Sequence, residues 1–260
     1  MDQVIEKVVA LARVAGSKIL EVYYSDFSVS FKEDESPLTQ ADLLAHELIC
    51  GGLQLMSADI PILSEESSEH ELSNRLCWSQ YWLVDPLDGT KEFVSRNGEF
   101  TVNIALIENG VPVIGVVYAP TLDLMYWGSS EGAFKQQGQQ SPERIKVAAT
   151  PGKNDSWRVV ASRNHLNDAT TEYLAQFNNP VIKTMGSSLK FCLIAEGSAD
   201  VYPRLAPTSE WDSAAAQAIV EAAGGCVLEY PKLSVLRYNR RNTLLNPNFI
   251  VCAETPLCWV

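Results

Sequence analysis

The chain has 260 residues, which is enough to bury a full core in one large domain or in two closely packed halves. Its 46% apolar and 20% charged residues are typical of a globular protein and exclude a disordered or fibrous one. Its 32 acidic and 20 basic residues give a formal charge of −12. This charge argues against a nucleic-acid polymer as a partner, because lysine and arginine hold such polymers.

The chain carries no targeting pattern that we can identify. Its first residues, Met1–Val4, lack the basic segment and apolar run of a signal peptide, and no apolar stretch reaches the roughly 20 residues of a membrane span. The six cysteines do not have the spacing of zinc ligands. We therefore expect a cytoplasmic protein whose cysteines are reduced thiols.

The first half of the chain is predicted to combine two amphipathic helices with an antiparallel sheet. Apolar residues recur every three to four positions in both helices, and Thr39 with Asp42 has the pattern of a capping box at the start of the second. From residue 100 the apolar period changes to two, and Glu108-Asn109-Gly110 is typical of a hairpin turn. The predicted elements are helices 4–23 and 39–56, short strands 29–32, 60–63 and 81–84, hairpin strands 101–107 and 111–118, and strands 124–127 and 132–134.

The second half of the chain alternates strands with helices. A polar stretch, Gln136 to Arg144, precedes it, and we place the boundary near residue 150, which gives domains 1–150 and 151–260. The pattern predicts a layered α/β architecture in two halves. The predicted elements are strands 158–161, 181–185, 200–204 and 249–251, a strand near Val227, and helices 169–177, 186–196 and 212–223.

Segment 85–90, Asp-Pro-Leu-Asp-Gly-Thr, carries the strongest chemical signal. An apolar strand ends at Asp85, and the proline and glycine that follow favour a tight loop. Such a loop would aim Asp85 and Asp88 at one point, with the Leu87 carbonyl nearby. Oxygen ligands at this density suit Mg²⁺, and the Thr90 hydroxyl lies beside them. The alternative is a polar turn without chemistry, since Asp, Pro and Gly are common turn residues.

Two other uses of this segment fit less well. An EF-hand loop that starts at Asp85 needs a carboxylate at its twelfth position, where this chain has Arg96. The haloacid-dehalogenase pattern, Asp-x-Asp-Gly-Thr, has one residue between its aspartates, whereas two residues separate Asp85 from Asp88. Neither rival explains the segment.

Three more acidic residues lie at the ends of predicted elements. Glu65 directly follows an apolar run, in Ser-Glu-Glu-Ser, and Asp212 begins a predicted helix. Each has a purely structural alternative: Glu65 as part of a solvated surface pair, Asp212 as a helix cap, and Asp42 as the capping partner of Thr39. Each signal is modest alone, and their combination in this order is the stronger one.

The combination resembles the inositol-monophosphatase superfamily of Mg²⁺-dependent, Li⁺-sensitive phosphatases. The resemblance covers the whole chain in order, including Lys32 and segment 39–42. It implies a five-layer α-β-α-β-α sandwich, of the α/β (α+β) class, and a metal-dependent phosphatase activity. The stretches that carry it are Leu63-Ser64-Glu65-Glu66-Ser67, Val84-Asp85-Pro86-Leu87-Asp88-Gly89-Thr90 and Trp211-Asp212-Ser213-Ala214-Ala215.

Within that superfamily, three further segments are similar to the bacterial 3′(2′),5′-bisphosphate nucleotidases. They are Ser162-Arg163-Asn164-His165, Gly186-Ser187-Ser188-Leu189-Lys190-Phe191 and Tyr202-Pro203-Arg204-Leu205. The similarity implies removal of the 3′-phosphate of adenosine 3′,5′-bisphosphate to leave AMP, with 3′-phosphoadenylyl sulfate as a further substrate. It also implies a peripheral position on the cytoplasmic face of the inner membrane, although the acidic charge argues against simple attraction to anionic lipids.

The resemblance also implies roles for single residues. Thr90, oriented by Asp42, would position the attacking water while Glu65 helps take its proton, so that no covalent enzyme intermediate forms. The expected ligands of two or three Mg²⁺ ions are Glu65, Asp85, the Leu87 carbonyl, Asp88 and Asp212. The expected substrate contacts are Glu65, Leu87, Asp88, Gly89, Thr90, His165, Ser187, Ser188, Lys190, Arg204 and Asp212.

Several substrate contacts have structural alternatives. Ser187 and Ser188 lie at a predicted helix start, where unpaired N–H groups favour anions, but a serine there can simply cap the helix. Lys190 and Arg204 are expected to hold the second phosphate, although Lys190 also fits a solvated helix face. His165 is expected at the ribose or base, and a lone histidine is more often structural.

Two other functions remain open on the sequence. An inositol monophosphatase or sugar phosphatase on the same scaffold would prefer inositol phosphate to adenosine bisphosphate. A non-catalytic phosphate or metal sensor would bind without turnover, although the complete set of acidic residues argues against that loss. The expected partner is a small nucleotide bisphosphate, and the chain is expected to be a monomer or a homodimer.

Overall fold

Two helices pack together at the start of the chain. The computed structural model describes residues 3–31, 37–68, 74–152, 155–161, 167–177 and 179–253. Helices α1 (Gln3–Tyr23) and α2 (Gln40–Met56) confirm the predicted pair, and the buried residues of α1 recur at the predicted three- to four-residue spacing. Between them, strands β1 (Val29–Phe31) and β2 (Pro37–Thr39) form a short antiparallel ladder.

The first large sheet has seven strands in chain order. Its first two strands are parallel, and the other neighbouring pairs are antiparallel. The predicted hairpin turn is confirmed, because Asn109 and Gly110 have φ values of 50° and 78°, the left-handed conformations that a tight hairpin turn requires. The strands are β3 (Ile62–Ser64), β4 (Gln80–Asp88), β5 (Thr101–Glu108), β6 (Val111–Ala119), β7 (Leu124–Ser129), β8 (Gly132–Gln137) and β9 (Glu143–Ile145).

The second large sheet has five strands in the order β11-β10-β12-β14-β13. Strand β10 pairs in parallel with β11 and β12, whereas β14 pairs antiparallel with β12 and β13. Four short helices complete the described fold. The strands are β10 (Arg158–Ala161), β11 (Val181–Thr184), β12 (Val201–Arg204), β13 (Cys226–Glu229) and β14 (Phe249–Cys252), and the helices are α3 (Thr90–Val94), α4 (Asp168–Leu174), α5 (Leu189–Ala195) and α6 (Ala214–Ala222).

The sheets and helices stack in five layers over the described ranges. Val102 and Ile104 of β5 pack with α1 and α2 on one face of the first sheet. Ala105 and Ile107 point to the opposite face, where α5 and α6 separate the two sheets. Helix α4 covers the far face of the second sheet, where Tyr173 joins a third core. The α-β-α-β-α sandwich is therefore confirmed, and the division into domains near residue 150 stays a prediction.

Helix α6 lies directly against the backbone of the first sheet. A Cβ atom added at Gly115 would overlap the carbonyl oxygen of Ala215, and one added at Gly128 would lie 2.6 Å from Cα of Ile219. Only glycine leaves room for this approach. The position of α6 therefore depends on these two glycines, and with it the position of the segment that precedes α6.

Three of the short strands and α-helices named here, β2, β9 and α3, were not predicted from the sequence. The polar stretch that includes Arg144 contains β9, an edge strand exposed enough that it shows no apolar alternation. Helix α3 has five residues, too few for a periodic pattern. No helix in the described ranges has both the length and the apolar character of a membrane span.

Candidate active site

An irregularity in β4 brings two aspartates to one face of the first sheet. Asp85 lies opposite Asn103 of β5, and Asp88 lies opposite Thr101, so three steps on β4 match two steps on β5. Residues three apart on a regular strand face opposite sides, and the extra residue of a bulge corrects this. Pro86 lies within the bulge, where a missing N–H costs little. The predicted tight loop is therefore the bulged end of a strand, followed by Gly89 with a φ of 92°.

Asp212 joins these two aspartates from the second half of the chain. Asp85, Asp88 and Asp212 each contribute a carboxylate oxygen, and these oxygens lie within 4.8 Å of one another. Asp212 precedes α6, whose cap position is Ser213, and its carboxylate accepts a hydrogen bond from the Ser209 N–H at 2.9 Å. The helix-cap alternative for Asp212 therefore does not describe this structure.

Glu65 reaches the same cluster from the neighbouring parallel strand. Its backbone N–H donates to the Val84 carbonyl at 3.0 Å, which continues the pairing of β3 with β4 and brings Glu65 beside Asp85. Glu65 is half-buried and lines the same cavity as the aspartates. The alternative of a solvated surface pair is therefore wrong for Glu65.

The cluster concentrates like charges where water is scarce. Asp85 is only 1% exposed, and burial raises its pKa well above the usual value, with further contributions from Glu65, Asp88 and Asp212. Burial, with the charges of Asp88 and Glu65, raises the pKa of Asp212 to about 8. Such a group of oxygen donors becomes stable as carboxylates when a cation balances it, and its hard ligands fit a divalent cation such as Mg²⁺.

Asp42 serves two structural purposes with separate oxygens. Its Oδ2 accepts hydrogen bonds from the N–H and the hydroxyl of Thr39 at 2.8 and 2.7 Å, which completes the predicted capping box of α2. Its Oδ1 accepts from the Thr90 hydroxyl at 3.2 Å, and that hydroxyl also lies 3.4 Å from the Leu87 carbonyl. Burial raises the pKa of Asp42, while the hydrogen bonds from Thr39 lower it. The capping role and the expected contact with Thr90 are thus compatible.

A cavity of about 370 Å³ opens above the carboxylates. Most of the residues expected at the metal and the substrate line it. Asp42 and Ser188 do not, and His165 lies outside the described residues. The expected residues that line the cavity are Glu65, Asp85, Leu87, Asp88, Gly89, Thr90, Ser187, Lys190, Arg204 and Asp212.

The cavity is also lined by two cations and an unusual serine. Ser187 has a φ of 43°, and its buried hydroxyl has no hydrogen-bond partner among the described residues. Lys190 is 7% exposed and donates to the Ser187 carbonyl at 2.6 Å, so it does not lie on a solvated helix face. Burial lowers the pKa of Lys190 to about 8. Arg204 donates to the carbonyls of Ala206 and Pro207, at 3.1 and 2.6 Å, at the cavity edge.

Ser188 lies below the cavity. It is 1% exposed, and its hydroxyl is 2.9 Å from Oδ2 of Asp88 and 2.7 Å from the carbonyl oxygen of Asp212. Thr101 and Asn103 join it there, and sequence reasoning missed both because they fall within the apolar alternation of β5. Two successive polar residues on one face of that strand were the available signal.

Comparisons with known proteins place the chain in a family. The sequence model of the inositol monophosphatase family matches residues 1–256. A Salmonella typhimurium protein named 3′(2′),5′-bisphosphate nucleotidase CysQ is 48% identical over 95% of this chain and 98% of its own length. The Haemophilus influenzae protein of the same name is 32% identical, over 99% of this chain and 96% of its own.

A solved structure shows the same architecture. The crystal structure of CysQ from Bacteroides thetaiotaomicron, described as a bacterial member of the inositol monophosphatase family, is 43% identical with a TM-score of 0.84. The match covers 96% of this chain and 97% of that one. The fold, the sequence match along nearly the whole chain and the acidic cluster agree, and the chain belongs to the inositol monophosphatase family.

Proposed function

We propose that the chain is a Mg²⁺-dependent 3′(2′),5′-bisphosphate nucleotidase. It removes the 3′-phosphate of adenosine 3′,5′-bisphosphate to give AMP and phosphate, and it acts in the same way on 3′-phosphoadenylyl sulfate. The observation that carries the proposal is the convergence of Asp85, Asp88 and Asp212 at the floor of a cavity that Lys190 and Arg204 also line. The printed name of the relatives that are 45–48% identical supports the choice of substrate.

The donor set defines which part of the cavity would take the metal. The proposed ligands share hard oxygen atoms, and we expect two or three Mg²⁺ ions among them. Divalent cations at such a site offset the charge of a phosphoryl group and make a water molecule more acidic. The ligands are Glu65, Asp85, the Leu87 carbonyl, Asp88 and Asp212.

The chain's own residues would then orient the attacking water. The Thr90 hydroxyl donates a hydrogen bond to Oδ1 of Asp42 at 3.2 Å, which leaves the lone pairs of the Thr90 oxygen available to accept a hydrogen bond from the attacking water. Glu65, which is half-buried and lines the cavity, acts as the general base that takes a proton from the attacking water. Water attacks phosphorus directly as the bond between phosphorus and the ribose 3′-oxygen breaks. That oxygen takes up a proton from solvent to become the 3′-hydroxyl of AMP, and no side chain becomes phosphorylated.

The cations and the serine that line the cavity would hold the rest of the nucleotide. Lys190 and Arg204 place positive charge beside the cavity, where a second phosphate needs it. The hydroxyl of Ser187 supports a polar ligand there, because a buried hydroxyl without a partner is costly unless a substrate completes it. The backbone at Gly89 and Thr90 lines the cavity near the reacting phosphate.

A phosphate-release panel tests the activity. Adenosine 3′,5′-bisphosphate, adenosine 2′,5′-bisphosphate, inositol 1-phosphate and fructose 1,6-bisphosphate are compared with Mg²⁺, with EDTA, and with Mg²⁺ plus Li⁺. We expect fast, Mg²⁺-dependent release from the adenosine bisphosphates and inhibition by Li⁺. Preference for inositol or fructose phosphate contradicts the proposed substrate, and nucleotide binding without release from any ester supports a sensor instead.

Two aspartate variants sharpen that test. Asp88→Asn removes a proposed ligand, whereas Asp59→Asn changes an exposed aspartate in the connection between α2 and β3. We expect only the first to lose Mg²⁺-dependent release. Equal activity in both variants contradicts the ligand assignment.

We further propose a cytoplasmic location. Across the described ranges the five cysteines are thiols rather than disulfides, which is the state that a reducing compartment maintains. Peripheral attachment to the cytoplasmic face of the inner membrane and the choice between monomer and homodimer stay predictions.

A further inference from the structure

Three polar side chains are buried beneath the carboxylate cluster, on the side away from the cavity. Thr101 is fully buried, and Asn103 and Ser188 are each 1% exposed. None of the three lines the cavity, so a bound substrate would not reach them. Polar groups buried this deeply need partners, and here the partners include two proposed metal ligands.

The hydrogen bonds assign a direction to each group. The Thr101 hydroxyl lies 3.0 Å from Oδ1 of Asn103, so that the Asn103 amide nitrogen faces the cluster. That nitrogen lies 2.9 Å from the Ser188 hydroxyl and 3.3 Å from Oδ2 of Asp88. The Ser188 hydroxyl accepts from Asn103 and donates its proton toward Asp88 Oδ2 or the Asp212 carbonyl.

The network therefore offers donors to one oxygen of Asp88. Oδ2 of Asp88 faces Asn103, Ser188 and, at 3.5 Å, the Thr101 hydroxyl. Donors favour the carboxylate form and fix its plane, so the other oxygen keeps one direction. An Asp88 side chain held in this way resists the repulsion of the neighbouring carboxylates.

The same network joins the two halves of the site. Thr101 and Asn103 belong to β5 of the first sheet, whereas Ser188 and Asp212 precede α5 and α6. Through Ser188, the side chain of Asp88 is connected to the backbone of Asp212, which comes from a different part of the chain. The Ser188 hydroxyl thus contributes to the spacing between these two ligands, whichever of the two oxygens takes its proton.

We infer that Asn103 and Ser188 are positioning residues that hold Asp88 and Asp212 at the separation needed for divalent-cation binding. The inference rests on the proposed function and replaces the predicted role of Ser188 as a substrate contact. Loss of a group that supports a metal ligand typically costs about 10- to 100-fold in metal affinity. Ser188 and Asn103 act on the substrate only through the carboxylates.

Ser188→Ala and its neighbour Ser187→Ala form a matched pair of variants. Each removes one buried hydroxyl, but only that of Ser188 contacts the carboxylate cluster. We measure the Mg²⁺-dependent rise of Tm without substrate, and then kcat and KM for adenosine 3′,5′-bisphosphate at several Mg²⁺ concentrations. For Ser188→Ala we expect the Mg²⁺ concentration at half-effect to rise about 10- to 100-fold, with KM at saturating Mg²⁺ within about twofold.

The pair separates the two roles. Ser187→Ala is expected to raise KM while its Mg²⁺ response stays that of the wild type. Asn103→Ala, from the other side of the network, is expected to repeat the loss of Mg²⁺ affinity, and Ser188→Thr, which keeps the hydroxyl, to restore it. Circular dichroism and the Tm in EDTA show whether Ser188→Ala folds. If it does not fold, the Mg²⁺ response of Asn103→Ala tests the inference in its place.

Two different results would overturn the inference. If the wild type responds to Mg²⁺, releases phosphate, and Ser188→Ala responds equally but has a raised KM, then Ser188 is a substrate contact and the inference alone is wrong. If the wild type shows neither a Mg²⁺-dependent rise in Tm nor phosphate release, the proposed function fails, and the inference fails with it.

Discussion

The two faces of the seven-stranded sheet have different tasks. Toward α1 and α2 the buried part of the face is apolar, with Trp82, Val84 and Ile104 buried side by side. The opposite face is apolar along most of its length, but it ends in Asp85, Thr101 and Asn103, all of them buried. The strands are the same on both faces, and period-two alternation separates the side chains that stabilise the fold from those proposed to do the chemistry.

The difference teaches where mutations should act. A change on the α1–α2 face removes packing and should lower stability without altering the proposed site. A change in the carboxylate cluster removes repulsion as well as a ligand, so activity and stability should separate. The following predictions test this contrast, beginning with the largest effect.

Asp212→Asn should lower kcat on the order of a thousandfold, because several kcal/mol of charge stabilisation at the phosphoryl group depend on the metal. The substitution removes one of several buried like charges, so the Tm in EDTA should stay equal or rise at pH 8. Phosphate release and thermal unfolding of the same preparation check both statements. A fall in Tm that parallels the fall in kcat would show that Asp212 is chiefly structural.

Ile104→Ala should do the opposite. Ile104 is fully buried against α1 and α2, and its truncation should lower the free energy of unfolding by about 2–5 kcal/mol. Denaturant unfolding measures that loss, and kcat of the remaining folded protein should stay within about twofold, since the Ile104 side chain lies on the face of the sheet away from the cavity. A large loss of kcat in the folded protein would mean that the two faces are coupled.

The metal-free protein should lose stability as the pH rises. Asp85 and Asp212 have raised pKa values in the folded chain, so their stabilising effect is full below the usual value of 3.8. The contribution of Asp212 is lost as the pH rises through about 8. We expect Tm in EDTA to fall by a few degrees from pH 6 to 8.5, and Mg²⁺ to raise it more at pH 8.5. The Tm of Asp212→Asn in EDTA should fall less over the same pH range. An equal fall in the variant and the wild type would show that Asp212 does not cause the pH dependence.

Lys190 should give the smallest effect, on KM alone. Burial lowers its pKa to about 8, so its positive charge is lost as the pH rises through that value. KM for adenosine 3′,5′-bisphosphate should therefore rise by about tenfold between pH 7 and 9, the worth of one charge-assisted hydrogen bond. Lys190→Met should have the high KM at both pH values. A wild-type KM that is constant over this range would exclude Lys190 as a phosphate ligand.

The sequence predicted the elements that carry a period and the acidic residues that end them. Asp85 and Glu65 each follow an apolar strand, and parallel pairing of β3 with β4 places those strand ends together. The role of Ser188 had no local signal, because its partner Asp88 lies 100 positions earlier. A tight loop was predicted at the end of β4, because Asp-Pro-Leu-Asp favours one. Pairing with β5 overrode that local preference, and the segment is a bulged strand end.

The close packing of α6 against Gly115 and Gly128 of the first sheet suggests where the metal preference of such an enzyme can be altered. A single methyl group at either glycine would push α6 away from the first sheet. The distance between Asp212, which precedes α6, and the two aspartates of β4 would then increase. Larger ions such as Ca²⁺ or Mn²⁺ tolerate longer bonds than Mg²⁺ does. Laboratory evolution toward another ion therefore has a route that leaves every ligand residue unchanged.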